Sequence, residues 1–393
     1  MLLCETDAMD PSTPTPPPRN NRYIVRSVLH ASAVLGTFRK SGEVLGLREV
    51  VSRSRLNKGM VFRLLYTLHE CGLVEKVGAN QYRLAFPLAH HRKFRIGYAD
   101  QDQSSSFSRE VFDGLVRACQ RAQIELIMVD NRRDPKAAVK NAERLVREHV
   151  DLVVEFQIDE RTAPAVASRF QNAGIPLIAI DIPHPGAVYF GADNHAAGSI
   201  AGRCLGHYAK DHWECAADEI LLLEISRAGP LIRMRTDGIL AGIREIIPAS
   251  DHWRVVRLDA KGEFKAALDC VRKHLRDASF KRTLVGAAND PVALGALRAF
   301  QECGRGAQCA VVGQNAEPEA RAEMRQAGTR LLGSVAYFPE RYGEGIVRLA
   351  TNVLLGKNVA PAVLTTHQLI TPQNVDHLYP NDSLFSRVAR EYS

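Results

Sequence analysis

No stretch of this 393-residue chain approaches the roughly 18 consecutive apolar residues that a membrane-crossing helix needs. The N-terminus, MLLCETDAMDPSTPTPPPR, lacks the basic region and apolar run of an export signal. Its LLC resembles a fragment of a lipoprotein signal, but nothing before it directs export, so the expected location is the cytoplasm. Eight cysteines (Cys4, Cys71, Cys119, Cys204, Cys215, Cys270, Cys303 and Cys309) form no CxxC pair. A chain of this length has no need of disulfide staples, and reduced thiols in the core are expected. Catalytic signatures are also missing: there is no GxSxG, HExxH or P-loop, and no GxGxxG after a strand. His90-His91 falls in a connector and His184 in a proline-flanked loop, without partners at metal-ligand spacing. Glu214 and Asp218 belong to the surface-like stretch KDHWECAADE. These absences point to a protein that is not an enzyme and holds no cofactor or metal.

What is present is uneven charge. Hydrophobic residues at 46% and charged residues at 24% are globular averages, so composition alone assigns no function. The net charge of +7, however, is not spread along the chain. Arg19 to Arg95 holds 15 Lys/Arg against 4 Asp/Glu, while Glu5, Asp7 and Asp10 precede it and residues 96–393 sum to −1. One small segment thus carries the positive charge, as a polyanion-binding module would.

The chain divides by pattern. A Pro/Ser/Thr-rich tail (1–21) cannot bury a core. Residues 22–85 read as one compact unit. A first helix spans about 26–40, with Val28, Ala31, Leu35 and Phe38 inward, and a second lies near 46–54, with Leu47, Val50 and Val51 inward. A third begins after RSRL, its apolar Val61, Leu64, Leu65 and Leu68 at helical spacing. Two short strands then flank Gly78-Ala79-Asn80. A basic connector (86–94) follows, in which Pro87 argues against a long helix. From 95 to 380, strand-like runs alternate with helices: FRIGYA, IELIMVD, VDLVVEF, IPLIAID, VYFGAD, EILLLEIS, WRVVRLD, TLVGAA, AVVGQN and LLGSVAY. That alternation predicts parallel sheets covered by helices, and its length implies two lobes. Residues 381–393 read as a C-terminal tail.

The third helix of the basic unit has a second face. Lys58, Gly59, Phe62, Arg63 and Tyr66 stand opposite its apolar stripe, with Arg55 in the turn before it. A helix entering a major groove needs such groups near its N-terminus, and Gly59 allows the backbone to come close. Lys76 and Arg83 on the hairpin fall where a wing reaches neighbouring phosphates. Each residue singly also fits a solvated helix face. The order helix, helix, turn, helix, hairpin together with the local charge fits DNA.

Over about 60 residues, LREVV, RLLYTL, CGLVEK and the closing YRL resemble the IclR-type winged helix-turn-helix. That family usually places a hydroxyl pair in the turn into the recognition helix, where this chain has Gly59 and Met60.

Residues 95 to about 376 resemble the periplasmic sugar-binding proteins and the effector domains of LacI-type repressors. The carriers are AGIPLIAID, FGADNHAAG, AANDPVALGALRAF, VVGQN and LITPQNVD, in that order. The resemblance implies a type I fold: two α/β lobes joined by a multi-strand hinge, with ligand in the cleft between them. It implies ligand contacts for Asp181 at the end of IPLIAID, for Asn289 after VGAA, and for Arg235 in RMRTDGI. A surface salt bridge is the lesser alternative for Arg235. Phe107 falls where the family stacks an aromatic on sugar, and core packing fits it as well. Asp290, before Pro291, reads as the N-cap of the next helix, and Asp193 as the cap of the helix from Asn194. Two departures concern the ligand: Asn315 replaces a carboxylate, and Tyr337 replaces a common glutamine.

The function expected from the whole is a ligand-responsive bacterial transcriptional regulator. A winged helix would bind double-stranded operator DNA as a homodimer, and an allosteric cleft would sense a sugar or sugar derivative. The alternative is a solute-binding receptor of an ABC sugar transporter.

Overall fold

The computed structural model describes residues 24–38, 42–85, 94–276 and 282–382. The expected N-terminal tail, the connector up to residue 93, His90-His91 and Cys4 lie outside them. Two compact units result, Met1–Arg92 and Lys93–Ser393.

The first unit runs α1 (Arg26–Leu35), β1 (Leu45–Gly46), α2 (Leu47–Ser54), α3 (Lys58–Glu70), β2 (Val74–Gly78) and β3 (Gln81–Leu84). The strands pair antiparallel in the order β1-β3-β2. Arg55 ends α2 in the left-handed region (φ 56°), which turns the chain sharply into α3. Asn57 then caps α3, its side chain accepting the Met60 N–H at 2.8 Å. Val34, Phe38, Val50, Val61 and Leu65 are fully buried in one core. The inward face of α1 differs from the sequence reading. The helix ends at Leu35, Val34 and Phe38 carry the burial, and Val28 is 64% exposed. The two-residue β1, too short to leave a pattern, is an addition.

In the second unit, β4 (Arg95–Asp100), β5 (Glu125–Asp130), β6 (Leu152–Glu155), β7 (Leu177–Ile180), β8 (Val188–Ala192) and β14 (Ala362–Thr365) form a parallel sheet ordered β14-β8-β7-β6-β4-β5. Helices α4 (Ser106–Arg121), α5 (Pro135–Arg147), α6 (Ala163–Asn172) and α12 (Pro339–Leu354) belong to this lobe. The second sheet takes β9 (Glu219–Glu224), β10 (Arg254–Asp259), β11 (Thr283–Ala287), β12 (Cys309–Asn315), β13 (Leu331–Ala336) and β15 (Gln368–Ile370) in the order β10-β9-β11-β12-β13-β15. Only its edge strand β15 runs antiparallel. Around it lie α7 (Asn194–Trp213), α8 (Gly229–Ile246), α9 (Phe264–Arg276), α10 (Asp290–Glu302), α11 (Pro318–Met324) and α13 (Val375–Leu378).

The chain crosses between the lobes three times: after β8, after β13, and between β14 and β15. His367, from the third crossing, meets one residue from each of the other two. The Asp193 N–H donates to His367 Nε2 at 3.0 Å, and the His367 ring lies 4.9 Å from that of Tyr337.

All ten strand-like runs are strands. The seven described cysteines are free, but the expectation of core thiols needs correction. Cys119 and Cys309 are buried, whereas Cys71, Cys215 and Cys303 are exposed because each stands at or just beyond a helix C-terminus. The expected C-terminal tail is also anchored at its start. The Asp382 carboxylate accepts from Arg321 at 2.7 Å and pairs with Arg325 at 3.2 Å.

Candidate functional site

Parallel sheets gather loops at the carboxyl ends of their strands, and the two lobes turn those ends toward one cavity. The space between atoms there is about 570 Å³, counted out through its open mouth. From the first lobe, the loop after β4 contributes Gln101 and the first turn of α4 Phe107, the loop after β5 Arg133, that after β6 Gln157 and Ile158, and that after β7 Asp181 and Ile182. The second lobe adds Ile225 after β9, Ile232 and Arg235 from α8, Asn289 after β11, and Asn315 and Glu317 at the end of β12.

Asp181 turns inward through a left-handed backbone (φ 58°) and accepts the Ala192 N–H at 3.2 Å. Its carboxylate fills the space where a Cβ on Gly191 would stand, so the glycine is a condition of this placement. Burial raises its pKa, and Arg235 opposes the rise. Arg235 is only 5% exposed, so the surface salt bridge is ruled out. Its Nε donates to Asn194 Oδ1 at 2.6 Å, its Nη1 donates to the Ala288 carbonyl at 3.0 Å, and the guanidinium lies over the Tyr337 ring at 4.8 Å. Two edges of the fork are thus fixed, and Arg235 stands in the cavity wall. Asn315 has an unusual positive φ of 107°, and its Nδ2 donates to Glu317 Oε1 at 2.8 Å. Strained backbone at two cavity-lining positions is a common mark of a functional site.

Three sequence readings need correction. Asn289, not Asp290, is the N-cap of α10: its Oδ1 accepts the Val292 N–H, and its Nδ2 donates to the Gly262 carbonyl, both at 3.1 Å. Asn289 lines the cavity with its amide already engaged. Asp290 is instead a fully buried hub, accepting Ser334 Oγ–H at 2.6 Å and the Glu317 N–H at 2.7 Å. Tyr337 does not line the cavity. Its phenol donates to Gln314 Oε1 at 2.6 Å, which holds the ring behind Arg235. Phe107 lines the cavity and also packs 5.8 Å from Tyr342 in the core. Asp193 caps α7 as expected from its position. Gln101, Arg133, Gln157 and Glu317 escaped the sequence reading because they stand in loops, where no periodicity marks them.

The lobes are also bridged at the rim. Ser106 Oγ donates to Glu319 Oε1 at 2.6 Å, and Arg321 faces Glu110 at 3.6 Å. Burial pushes Glu110 up to about 7 despite Arg321. Burial likewise pushes Glu155 up to about 8 and Asp100 up to about 6. Each carboxyl is protonated in the fold at a pH where the unfolded chain ionises it, near 4. The fold therefore holds extra protons between roughly pH 5 and 8, and stability must fall as pH rises through that window. Thermal unfolding of the ligand-free chain is expected several degrees lower at pH 8 than at pH 5.5, and Glu155→Gln should flatten the upper part of that slope.

On the first unit, Lys58, Gly59, Phe62, Arg63 and Tyr66 share the exposed face of α3, with Phe62 48% and Tyr66 61% exposed. Arg55 and Lys76 are exposed as well. Arg83 is less free than expected. The antiparallel register sets it opposite Glu75, and the two form an ion pair at 2.5 Å.

A family model of the periplasmic binding protein domain matches residues 96–358. The chain belongs to that family. A model of the IclR helix-turn-helix domain matches residues 27–78, so the periplasmic-binding-protein domain here is fused to a helix-turn-helix domain. The chain is 25% identical to the ribose import binding protein of Salmonella typhimurium over 250 residues, 63% of this chain and 80% of the relative. It is 24% identical to the D-ribose/D-allose-binding protein of Pseudomonas aeruginosa over 284 residues, 67% and 83% of the two chains. The fold of the periplasmic-binding-protein domain also matches a periplasmic solute-binding protein of Actinobacillus succinogenes with bound D-allose. There the TM-score is 0.64 at 19% identity, over 72% of this chain and 100% of that one. Neither matched family is an enzyme family. Among the described residues, no helix is long and apolar enough to cross a membrane, and no cluster of His, Cys, Asp or Glu could hold a metal ion.

Proposed function

We propose that this protein is a transcriptional regulator whose DNA affinity responds to a sugar or sugar derivative held between the lobes of its second unit. The observation that carries the reading is the union, in one chain, of an exposed cationic and aromatic face on α3 with a cavity walled by Asp181, Arg235 and Asn315. Phosphates would be met by Lys58, Arg63 and Lys76, and base edges by the first turns of α3, with Gly59 permitting close approach. In the cavity, the Asp181 carboxylate accepts hydroxyl protons, Arg235 donates from its free edge, and Phe107 faces the apolar side of a ring. The relatives' printed names, which concern ribose and allose, support a sugar ligand.

A homodimer fits the reading, because two recognition helices one DNA turn apart, about 34 Å, read a pseudo-palindrome. Ile24, Val25, Val28 and Leu29 form an apolar row, each at least half exposed, that a second copy would cover. The cytoplasm is the compartment in which such a protein meets DNA. A transporter receptor would have no use for the face on α3.

The test is a mobility shift with the DNA upstream of the protein's own gene. The full chain should retard it, Arg63→Ala should weaken binding by roughly tenfold or more, and residues 94–393 alone should not shift it. Equal binding by that fragment would overturn the reading.

A further inference from the structure

The cavity lining is of two kinds. One part is polar and includes Asp181, which Arg235 faces, and Asn315, which donates to Glu317. The other is aliphatic. Ile182, Ile225, Ala228 and Ile232 pack as one cluster with Ile158 against it, and all five line the cavity. Ile158 and Ile182 come from the first lobe, and Ile225, Ala228 and Ile232 from the second, so the wall is completed only when the lobes meet. Ile182 directly follows Asp181, which places the boundary between the two parts within a single step of the backbone. At that boundary Gln157, only 4% exposed, keeps an Nε2 with no hydrogen-bond partner among the described residues.

A ligand that is hydroxylated all round does not suit this lining. A hydroxyl set against the isoleucines would lose its bonds to water and find no acceptor or donor in return. A methyl or methylene in the same position is favoured, because it leaves water for an apolar wall. Gln157 Nε2, beside Ile158, offers a donor to the last hydroxyl before the apolar end. Resting on the reading of this cavity as a sugar site, we infer that the ligand is a sugar or polyol deoxygenated at one end. Its hydroxyls meet Asp181, Arg235, Gln157 and Asn315, and its methyl or methylene end lies against Ile182, Ile225 and Ile232.

Calorimetry of the full chain with matched sugar pairs tests this. The pairs are D-fucose against D-galactose, L-rhamnose against L-mannose, and D-quinovose against D-glucose, each differing by one hydroxyl. The deoxy member should bind about tenfold or more tightly than its partner in at least one pair. Ile232→Asn should then shrink that preference to within about twofold by supplying the missing hydroxyl partner. The comparison on the parent protein needs no variant. Equal or tighter binding of the hydroxylated member in every pair that binds overturns the inference and leaves the sugar-site reading standing. Failure of all six sugars to bind overturns both.

Discussion

Arg235→Ala is expected to weaken ligand binding at least a hundredfold, measured by calorimetry with the tightest-binding sugar of a panel. A hundredfold is about 2.8 kcal/mol, and the geometry asks for no less. The guanidinium ties Asn194 at the start of α7 to the Ala288 carbonyl after β11, and it faces the buried Asp181 carboxyl. On the proposed reading, its removal deletes a charge-assisted contact to the ligand, worth about 1.5–3 kcal/mol. It also removes the positive charge that offsets the burial of the Asp181 carboxyl. Arg235→Lys keeps the charge but not the planar fork, so it cannot hold both fixed partners and still reach the ligand. It should fall between parent and alanine. An alanine variant that binds within threefold of the parent would remove Arg235 from the site.

Gly202→Val should disrupt the second lobe outright. Helices α7 and α8 touch along glycines, Gly198 and Gly202 on one against Gly238 and Gly242 on the other. A Cβ on Gly202 would collide with the carbonyl oxygen of Ile239, and one on Gly238 with that of His195. These obstacles are backbone, which cannot swing aside as a side chain can, so the helices would have to separate. The expected loss is about 3 kcal/mol or more, lowering the unfolding midpoint by roughly 6–12 °C or preventing folding altogether. Gly306→Ala is the control, since its added Cβ would meet nothing nearer than 3.8 Å, and it should melt with the parent. Gly202→Val melting with the parent would contradict the packing described here.

How far the sequence foretold this structure follows from where its information lies. The stretches ILLL within EILLLEIS and LVGAA within TLVGAA are unbroken by polar residues because parallel strands are covered on both faces, so they stand out and their order gives the two sheets. Strands β14 and β15 were missed for the converse reason. Each is three or four residues long on a half-exposed edge and shows no such run. Capping at α10 was misassigned because Asn289 and Asp290 are both good caps, and only the burial of Asp290 against Ser334 and Glu317 separates them. Of the six residues named for the ligand, five line the cavity. Tyr337 does not, because its phenol is drawn back to Gln314. The aliphatic wall could not be foreseen, since its members lie up to 74 residues apart and meet only when the two lobes pack together. On α3, the polar face was legible from spacing, but the pairing of Arg83 with Glu75 depends on hairpin register, which composition does not reveal.

The central claim is that occupancy of the cavity changes the grip of the first unit on DNA. Fluorescence anisotropy of the full chain on labelled upstream DNA, with and without a saturating sugar whose binding calorimetry has established, tests it directly. A change in DNA affinity of about fivefold or more is predicted, and Asp181→Asn should abolish the change while leaving sugar-free DNA binding as it was. The same DNA affinity at zero and saturating sugar would contradict the account.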